Sequence, residues 1–341
     1  MERMRVIQVG VGGFGTYWLK HIQAVQSIEL VAIAEVQQEK LAEGVRLLAD
    51  RSVPAFTSHE EAFRAVKADL ALLITPPPTR HRLTRDALEA GMHVIVEKPM
   101  ASNFREALAL LDIARKYDKV VSVNQNYRWT PEMKAIRTAL ALGLIGKPEV
   151  VEWQFARDGS RNRGPQAEWR RNREEPLLTE LSIHHFDLMR YLLNAEPVYL
   201  FASSFSPTWN DRGGNSSASV ILKFAGGIHV NYFASSANKG KDSTWTGNFR
   251  IVGNAGALEF ADGMAYHVTE AEERRPLELQ ELEYHNVAYT VNDFVEAVRA
   301  GRRPATSIED NLISFSMVGA AVESSKTGKV VRLDTGFYQA Y

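Results

Sequence analysis

From Met4 to about residue 123, short β-rich apolar runs alternate with amphipathic stretches, the pattern of βαβ units that build a parallel sheet. The runs predict strands over 4–9, 29–34, 52–56, 70–74, 93–96 and 119–123, with helices over 14–24, 37–49, 58–66, 79–90 and 103–117. Gly91 stands where a left-handed helix stop is wanted, and Ser102 or Asn103 can cap the next helix. After Tyr127-Arg128-Trp129 the register shifts to α+β: a helix over 131–141, a strand over 148–156, a polar arginine-rich stretch over 157–175 and a helix over 180–193. Residues 217–224 and 228–235 alternate apolar and polar around Gly226-Gly227, which predicts an antiparallel hairpin. Strands over 197–205, 245–252 and 256–260 and helices over 289–299 and 309–326 complete the chain. The expected class is therefore α/β, with a doubly wound parallel sheet in domain 1–125 and an α+β domain over 126–341.

A length of 341 residues supports two domains. With 45% hydrophobic and 24% charged residues, both should be compact. Forty basic and forty-one acidic side chains leave a net charge of -1, so no general field draws the chain to nucleic acid or anionic lipid. Cysteine is absent, which removes thiolate nucleophiles and cysteine-based metal sites. Met1-Glu2-Arg3-Met4-Arg5 runs directly into the first strand without an apolar signal region, and no run is long enough to span a bilayer. A cytoplasmic location is expected.

Chemistry first becomes legible at Gly10-Val11-Gly12-Gly13-Phe14-Gly15, a G-x-G-x-x-G between an apolar strand and an amphipathic helix. Gly10 permits the tight turn, Gly12 lets backbone approach a pyrophosphate, and Gly15 allows close helix–strand packing, while the helix N-terminus offers N–H groups to the phosphates. Glu35, twenty residues after Gly15, ends the second strand, where an acid binds both hydroxyls of the adenosine ribose. A 2′-phosphate would meet that carboxylate, and Val36, Gln37 and Gln38 offer no arginine to neutralise it, so NAD is favoured over NADP.

His93-Val94-Ile95-Val96-Glu97-Lys98-Pro99 reads as a buried strand ending at the carboxyl edge, where doubly wound sheets bind ligands. There the ammonium of Lys98, held extended by Pro99, can stabilise the alkoxide that develops as hydride leaves an alcohol. The alternative is a solvated surface lysine. Thr75-Pro76-Pro77-Pro78-Thr79-Arg80-His81 lies at the same edge, either as a stiff wall along the cofactor or as a rigid connection without a ligand.

On a helix over 180–193, Glu180, His184, Asp187 and Tyr191 fall within about 60° of arc. Leu181, Leu188, Met189 and Leu192 anchor the adjoining side, which selects His184 over His185 as the accessible base. An imidazole there can take the hydroxyl proton, with Glu180 or Asp187 as its orienting carboxylate or Asp187 on substrate hydroxyls. The plainer reading is a solvated face with a local Glu–His pair. A metal is not required, because lysine assistance suffices for alcohol oxidation.

Together these residues resemble the Gfo/Idh/MocA oxidoreductases, the group that includes glucose-fructose oxidoreductase and inositol 2-dehydrogenase. The resemblance rests on the glycine turn, the Thr-Pro-Pro loop reaching His81, Glu97-Lys98-Pro99, Asn126-Tyr127-Arg128 and the Glu-x-Ser-x-His-x-x-Asp of 180–187. Arg250-Ile251-Val252-Gly253, Gly256-Ala257-Leu258-Glu259 and Glu309-Asp310 agree with it. It implies a Rossmann domain followed by an open, mostly antiparallel sheet, assembly as a homodimer or homotetramer through that sheet, and a sugar, polyol or cyclitol substrate. It implies Lys98 and His184 as the catalytic pair, with Glu180 where many members have aspartate. Cofactor contacts would come from Gly10, Gly12, Gly13, Phe14, Gly15, Glu35, Thr75, Pro76, Pro77, His81, Glu97, Lys98 and Asn126. Substrate contacts would come from Lys98, Tyr127, Arg128, Trp169, Glu180, His184 and Asp187. Ser182 stands where a glycine is usual, and Glu174-Glu175-Pro176-Leu177-Leu178 replaces a glycine-rich run.

The expected function is reversible oxidation of a secondary alcohol, with hydride passing to NAD, His184 as acid/base and Lys98 as electrostatic aid. One alternative retains NAD and oxidises transiently to permit elimination, epimerisation or glycoside cleavage. Another is a dinucleotide- or sugar-sensing protein without turnover.

Overall fold

The computed structural model describes residues 2–159, 174–211 and 213–334; Trp169 lies outside them. The chain forms two compact units, Met1–Asn126 with Glu283–Leu312, and Tyr127–Leu282 with Ile313–Tyr341.

The first unit alternates β1 (Met4–Val9), α1 (Phe14–Ile22), β2 (Ile28–Ala34), α2 (Gln38–Leu47), β3 (Ala55–Phe56), α3 (His59–Ala65), β4 (Leu70–Leu73), α4 (Pro77–Glu89), β5 (His93–Glu97), α5 (Phe104–Ala114) and β6 (Val121–Asn124). The strands form one parallel sheet in the order β3-β2-β1-β4-β5-β6. Strand order reverses beside β1, which places the ligand crevice outside the carboxyl ends of β1 and β4. All four residues of β4 are buried, as expected of a strand covered on both faces. Asn103 caps α5 by accepting the N–H of Glu106, whose carboxylate accepts the N–H of Ser102, so the two candidates act as cap and capping-box partner. Helix α4 begins at Pro77, two residues before the position predicted from hydrophobic periodicity, because proline suits the first helical turn, where an N–H would have no partner.

The second unit opens with α6 (Pro131–Ala141) and β7 (Pro148–Ala156). A wide π-helical turn, Leu177–Ser182, leads into α7 (Ile183–Leu193). There follow β8 (Pro197–Phe205), β9 (Ser217–Phe224), β10 (His229–Ser235), β11 (Asn248–Gly253), β12 (Gly256–Ala261), β13 (Met264–Val268) and β14 (Arg274–Pro276), with β15 (Val331–Arg332) near the chain end. The sheet order is β14-β13-β12-β11-β7-β10-β9-β8-β15, antiparallel at every pairing except β7 with β10. Strands β13, β14 and β15 were not expected from the sequence; the last two are short edge strands without buried positions, so they lack the apolar alternation that announces a strand. The Gly226-Gly227 turn forms with both residues at positive φ, 76° and 93°, and joins β9 to β10. Strand β9 buries Ala218, Val220, Leu222 and Phe224 and turns Ser219, Ile221 and Lys223 outward, so the sheet has one packed and one open face.

Two helices close the fold, α8 (Asn286–Arg299) and α9 (Ile308–Thr327). Val287, Val291, Phe294 and Val295 of α8 share a buried cluster with Val6, Trp18, Ile22, Leu72 and Ile95. A helix expected within the second domain thus covers the first sheet, because its amphipathic pattern reveals a face to bury but not which sheet receives it. Phe294→Ala should lower the stability of the first unit by about 3–5 kcal/mol. Urea unfolding would show a lower midpoint with an unchanged slope.

Candidate active site

The glycine turn is drawn tight by contacts that only glycine allows. A Cβ on Gly10, at φ 91°, would lie 2.3 Å from the carbonyl oxygen of Ile74, and one on Gly15 would lie 2.2 Å from that of Gly10. Gln8, fully buried in β1, donates from Nε2 to the carbonyls of Gly10 (2.9 Å) and Gly15 (2.8 Å) and so holds the two ends of the turn together. Space opens off Gly13, and Phe14, 46% exposed at the start of α1, stacks on Tyr17. One carboxylate oxygen of Glu35 accepts the N–H groups of Val11 (3.2 Å) and Gly12 (3.3 Å), while the other accepts that of Gln37 (3.0 Å). The turn therefore already holds an anion on its backbone donors, which is what a pyrophosphate-binding nest requires. Glycines, donors and acid all fit a dinucleotide.

Two further loops stand at the carboxyl edge of the same sheet. Arg80, buried in α4, donates through Nε to the carbonyl of Thr75 (2.8 Å) and through its guanidinium to the carbonyl of Pro99, binding the Thr75-Pro76-Pro77 loop to the Lys98-Pro99 loop. His81 follows, half-buried, in the first turns of α4. Glu97 is 3% exposed and accepts from Trp18 Nε1 (2.8 Å), Asn124 Nδ2 (2.6 Å) and the backbone N–H of Lys98 (2.9 Å). Thr290 of α8 in turn donates to Asn124 Oδ1 at 3.0 Å. Glu97 thus carries a structural network that fixes the backbone bearing Lys98, and Asn126 is buried just past β6 in the turn Asn126–Arg128.

In the second unit the structure corrects the single helix expected over 180–193. The carbonyl of Glu175 accepts both the N–H (3.1 Å) and the hydroxyl (2.7 Å) of Thr179, and the chain runs through the wide turn before α7 begins at Ile183. A side-chain hydroxyl bonded back four residues opens a helical turn. Glu180 therefore lies in the wide turn, ahead of the regular helix that carries residues 184, 187 and 191. His184 is buried and stacks on the ring of Tyr127 at 3.9 Å between centroids and 6° between planes. His185 is set among Trp153, Phe155 and Tyr232; its Nε2 donates to the carbonyl of Trp245 (3.0 Å), and its Nδ1 lies 2.8 Å from the Tyr232 hydroxyl. That hydroxyl donates to Ser182 (2.9 Å), so the serine standing in a glycine position has a bonding partner, and burial pushes the tyrosine pKa up. Both histidines are buried, His184 at 4% and His185 at 1% exposure, so burial alone does not separate them.

Arg128 and Asp187 were expected at substrate, but their charges meet each other. Arg128 donates from Nε to Oδ2 (2.7 Å) and from Nη2 to Oδ1 (2.6 Å), and Ser314 of α9 adds a third donor to Oδ1 (2.8 Å). The pair is 5% and 2% exposed. The guanidiniums of Arg128 and Arg137 also lie over the ring of Tyr191, 5.4 and 5.1 Å from its centroid. Sequence reasoning missed Gln8, Trp18, Arg80, Asn124 and Ser314; the signal for Gln8 was a polar residue set between Ile7 and Val9 in the buried end of the first strand. Among the described residues one group has metal-ligand spacing, His59, Glu60 and Asp86; its histidine faces a carboxylate through each ring nitrogen (3.0 and 2.9 Å) and ties α3 to α4.

Residues 4–125 match a family model described as "Oxidoreductase family, NAD-binding Rossmann fold", and residues 133–259 match the "GFO/IDH/MocA C-terminal domain". An uncharacterized protein of Sinorhizobium fredii is 27% identical, the match covering 99% of this chain and 97% of that one. The myo-inositol 2-dehydrogenase of Thermotoga maritima is 24% identical over 97% of this chain and 99% of its own. An Agrobacterium radiobacter oxidoreductase, solved with NAD+, L-tartaric acid and magnesium, superposes with a TM-score of 0.86 at 20% identity and covers 97% of this chain and 99% of that one.

Removing one member of the buried Arg128–Asp187 pair should cost more than removing both. Arg128→Met and Asp187→Leu should each destabilise by about 3–5 kcal/mol, whereas the two combined should cost less than either single change. Thermal or urea unfolding of the three variants provides the cycle.

Proposed function

The chain belongs to the Gfo/Idh/MocA oxidoreductases, and we propose that it oxidises a secondary alcohol of a sugar, polyol or cyclitol reversibly, with His184 as general acid/base and Lys98 as electrostatic aid. The observation that carries this reading is the glycine turn, whose backbone donors already hold the carboxylate of Glu35. NAD, bound along that turn, supplies the hydride acceptor. Glu35 would hold the adenosine ribose hydroxyls of that cofactor, a carboxylate role that favours NAD over NADP. The ammonium of Lys98 stabilises negative charge on the substrate oxygen, on a backbone steadied by Glu97 and Arg80. The His184 imidazole takes the hydroxyl proton, its ring plane set by the stack on Tyr127. Arg128 and Asp187 act through position: their mutual pair fixes the segment that carries Tyr127 against the helix that carries His184. The cyclitol dehydrogenase among the relatives supports the substrate class.

The open face of the second sheet supports assembly with a second copy as part of the same proposal. Phe201, Ile221 and Phe233 lie exposed on the adjacent strands β8, β9 and β10, an apolar patch that water disfavours.

A panel of aldoses, polyols and inositols, followed by NADH absorbance, should find a substrate. On it His184→Ala and Lys98→Met should each lower kcat by roughly 10²–10⁴-fold with NAD affinity nearly unchanged; undiminished turnover in both would end this assignment. Independently, Ile221→Asp with Phe233→Asp should convert an oligomer to a monomer in sedimentation velocity, and a monomeric wild type would refute the interface.

A further inference from the structure

At the amino ends of β1, β4 and β5, the edge of the first sheet remote from the glycine turn, lies a cavity of about 720 Å³. Arg3 and Arg5 enter it from the start of β1, Lys67 from the end of α3, Lys119 from the turn before β6 and Arg299 from the last turn of α8. Among the described residues none of these five cations has a carboxylate within ion-pair distance; the salt bridges of this unit lie elsewhere, at His59, Arg82, Arg85 and Arg302. Arg299 is bonded only to the carbonyls of Glu2 and Ser27. Two carboxylates share the lining, Glu2 and Asp69, and Asp69 accepts the backbone N–H of Arg5 at 2.8 Å. His93 on the wall accepts the N–H of Val120 at Nδ1 (3.0 Å), which leaves the proton of the neutral ring on Nε2. Burial and the Lys119 ammonium hold its pKa below the ordinary value, while Asp69 and Asp118 act the other way.

Cations at this edge could simply balance helix ends, since α3, α4 and α8 all finish here. Each C-terminus supplies roughly half a negative charge. Five cations against two carboxylates exceed what three such ends neutralise. The surplus faces a cavity of the size that holds small molecules, about 300–1,000 Å³.

We propose that this cavity is a second ligand site, distinct from the glycine turn, and that it takes a small metabolite bearing a phosphate group. A phosphate monoester brings about −1.5 to −2 charge and three acceptor oxygens. Arginine meets those oxygens with paired donors and lysine with a compact charge. A nucleic-acid backbone is disfavoured, because the basic surface is one cavity flanked by Glu2 and Asp69 on a chain of net charge -1.

The test is isothermal titration of the NAD-saturated protein, its glycine turn thereby filled, with inorganic pyrophosphate at a fixed ionic strength of about 0.15 M, where exposed charges are screened beyond about 8 Å. One site per chain is expected. Lys67→Glu with Lys119→Glu should weaken binding at least tenfold while NAD affinity stays within twofold. Should that double variant lose its thermal transition, Lys67→Ala alone should still weaken binding at least threefold. Absence of pyrophosphate binding, or equal affinity in wild type and variant, overturns the site. Citrate binding as tightly as pyrophosphate overturns the phosphate class.

Discussion

Glu97 ends β5 with a carboxylate only 3% exposed, where an unpaired charge would cost several kcal/mol. Three donors remove that cost, and each comes from a different part of the first unit: the indole of Trp18 on α1, the amide of Asn124 on β6 and the backbone of Lys98. Thr290 extends the network to α8, which joins the sheet far later in sequence. The carboxylate thus ties two strands to α1 and, through Asn124, to α8, and holds the peptide that presents the lysine. Arg80 serves the neighbouring loops in a similar way, with one buried guanidinium bonded to the carbonyls of Thr75 and Pro99. Rigid placement of the sheet edge comes from polar groups satisfied inside the unit, each of which would be costly to leave unmade.

The second unit places its histidine by different means. Ser314 accepts from Arg190 (2.8 Å) and donates to Asp187 (2.8 Å), and Arg190 forks onto Glu196 at 2.6 and 2.7 Å. A chain of charges and one hydroxyl therefore runs from Arg128 through α7 to α9. Asp187 spends its oxygens on these donors, and the His184 ring lies flat against that of Tyr127, on the segment that Arg128 anchors.

Much of this was legible in the sequence, for local reasons. β1, α6, β7, β8 and β9 lie where the pattern put them, β1 as a short apolar run and the others through a periodicity of their own kind. The glycine turn was legible because steric exclusion at Gly10 and Gly15 leaves no other residue type. What escaped is non-local. No pattern within α8 says that Phe294 packs beside Trp18, and nothing around Asp187 says that Arg128, fifty-nine residues away, will occupy both its oxygens. The wide turn escaped for a subtler reason: the helical arc was drawn with one pitch, and the chain follows a wider pitch over Leu177–Ser182, just ahead of the histidine, which no apolar spacing announces.

A parallel sheet flanked by helices is electrically lopsided, and the first unit shows how one chain answers the two ends. At the carboxyl edge, helix N-termini present N–H groups, so the turn after β1 holds the carboxylate of Glu35 on backbone donors with no cationic side chain in the bond. At the amino edge the helix termini are carbonyls, and backbone there repels anions. Positive potential on that side has to come from side chains, which is where Arg3, Arg5, Lys67, Lys119 and Arg299 are gathered. Backbone donors are fixed by the fold, so the first edge is specific in shape. Lysine and arginine side chains are mobile and long, so the second recognises charge before shape, and its affinity should fall far more steeply with salt than that of the glycine turn.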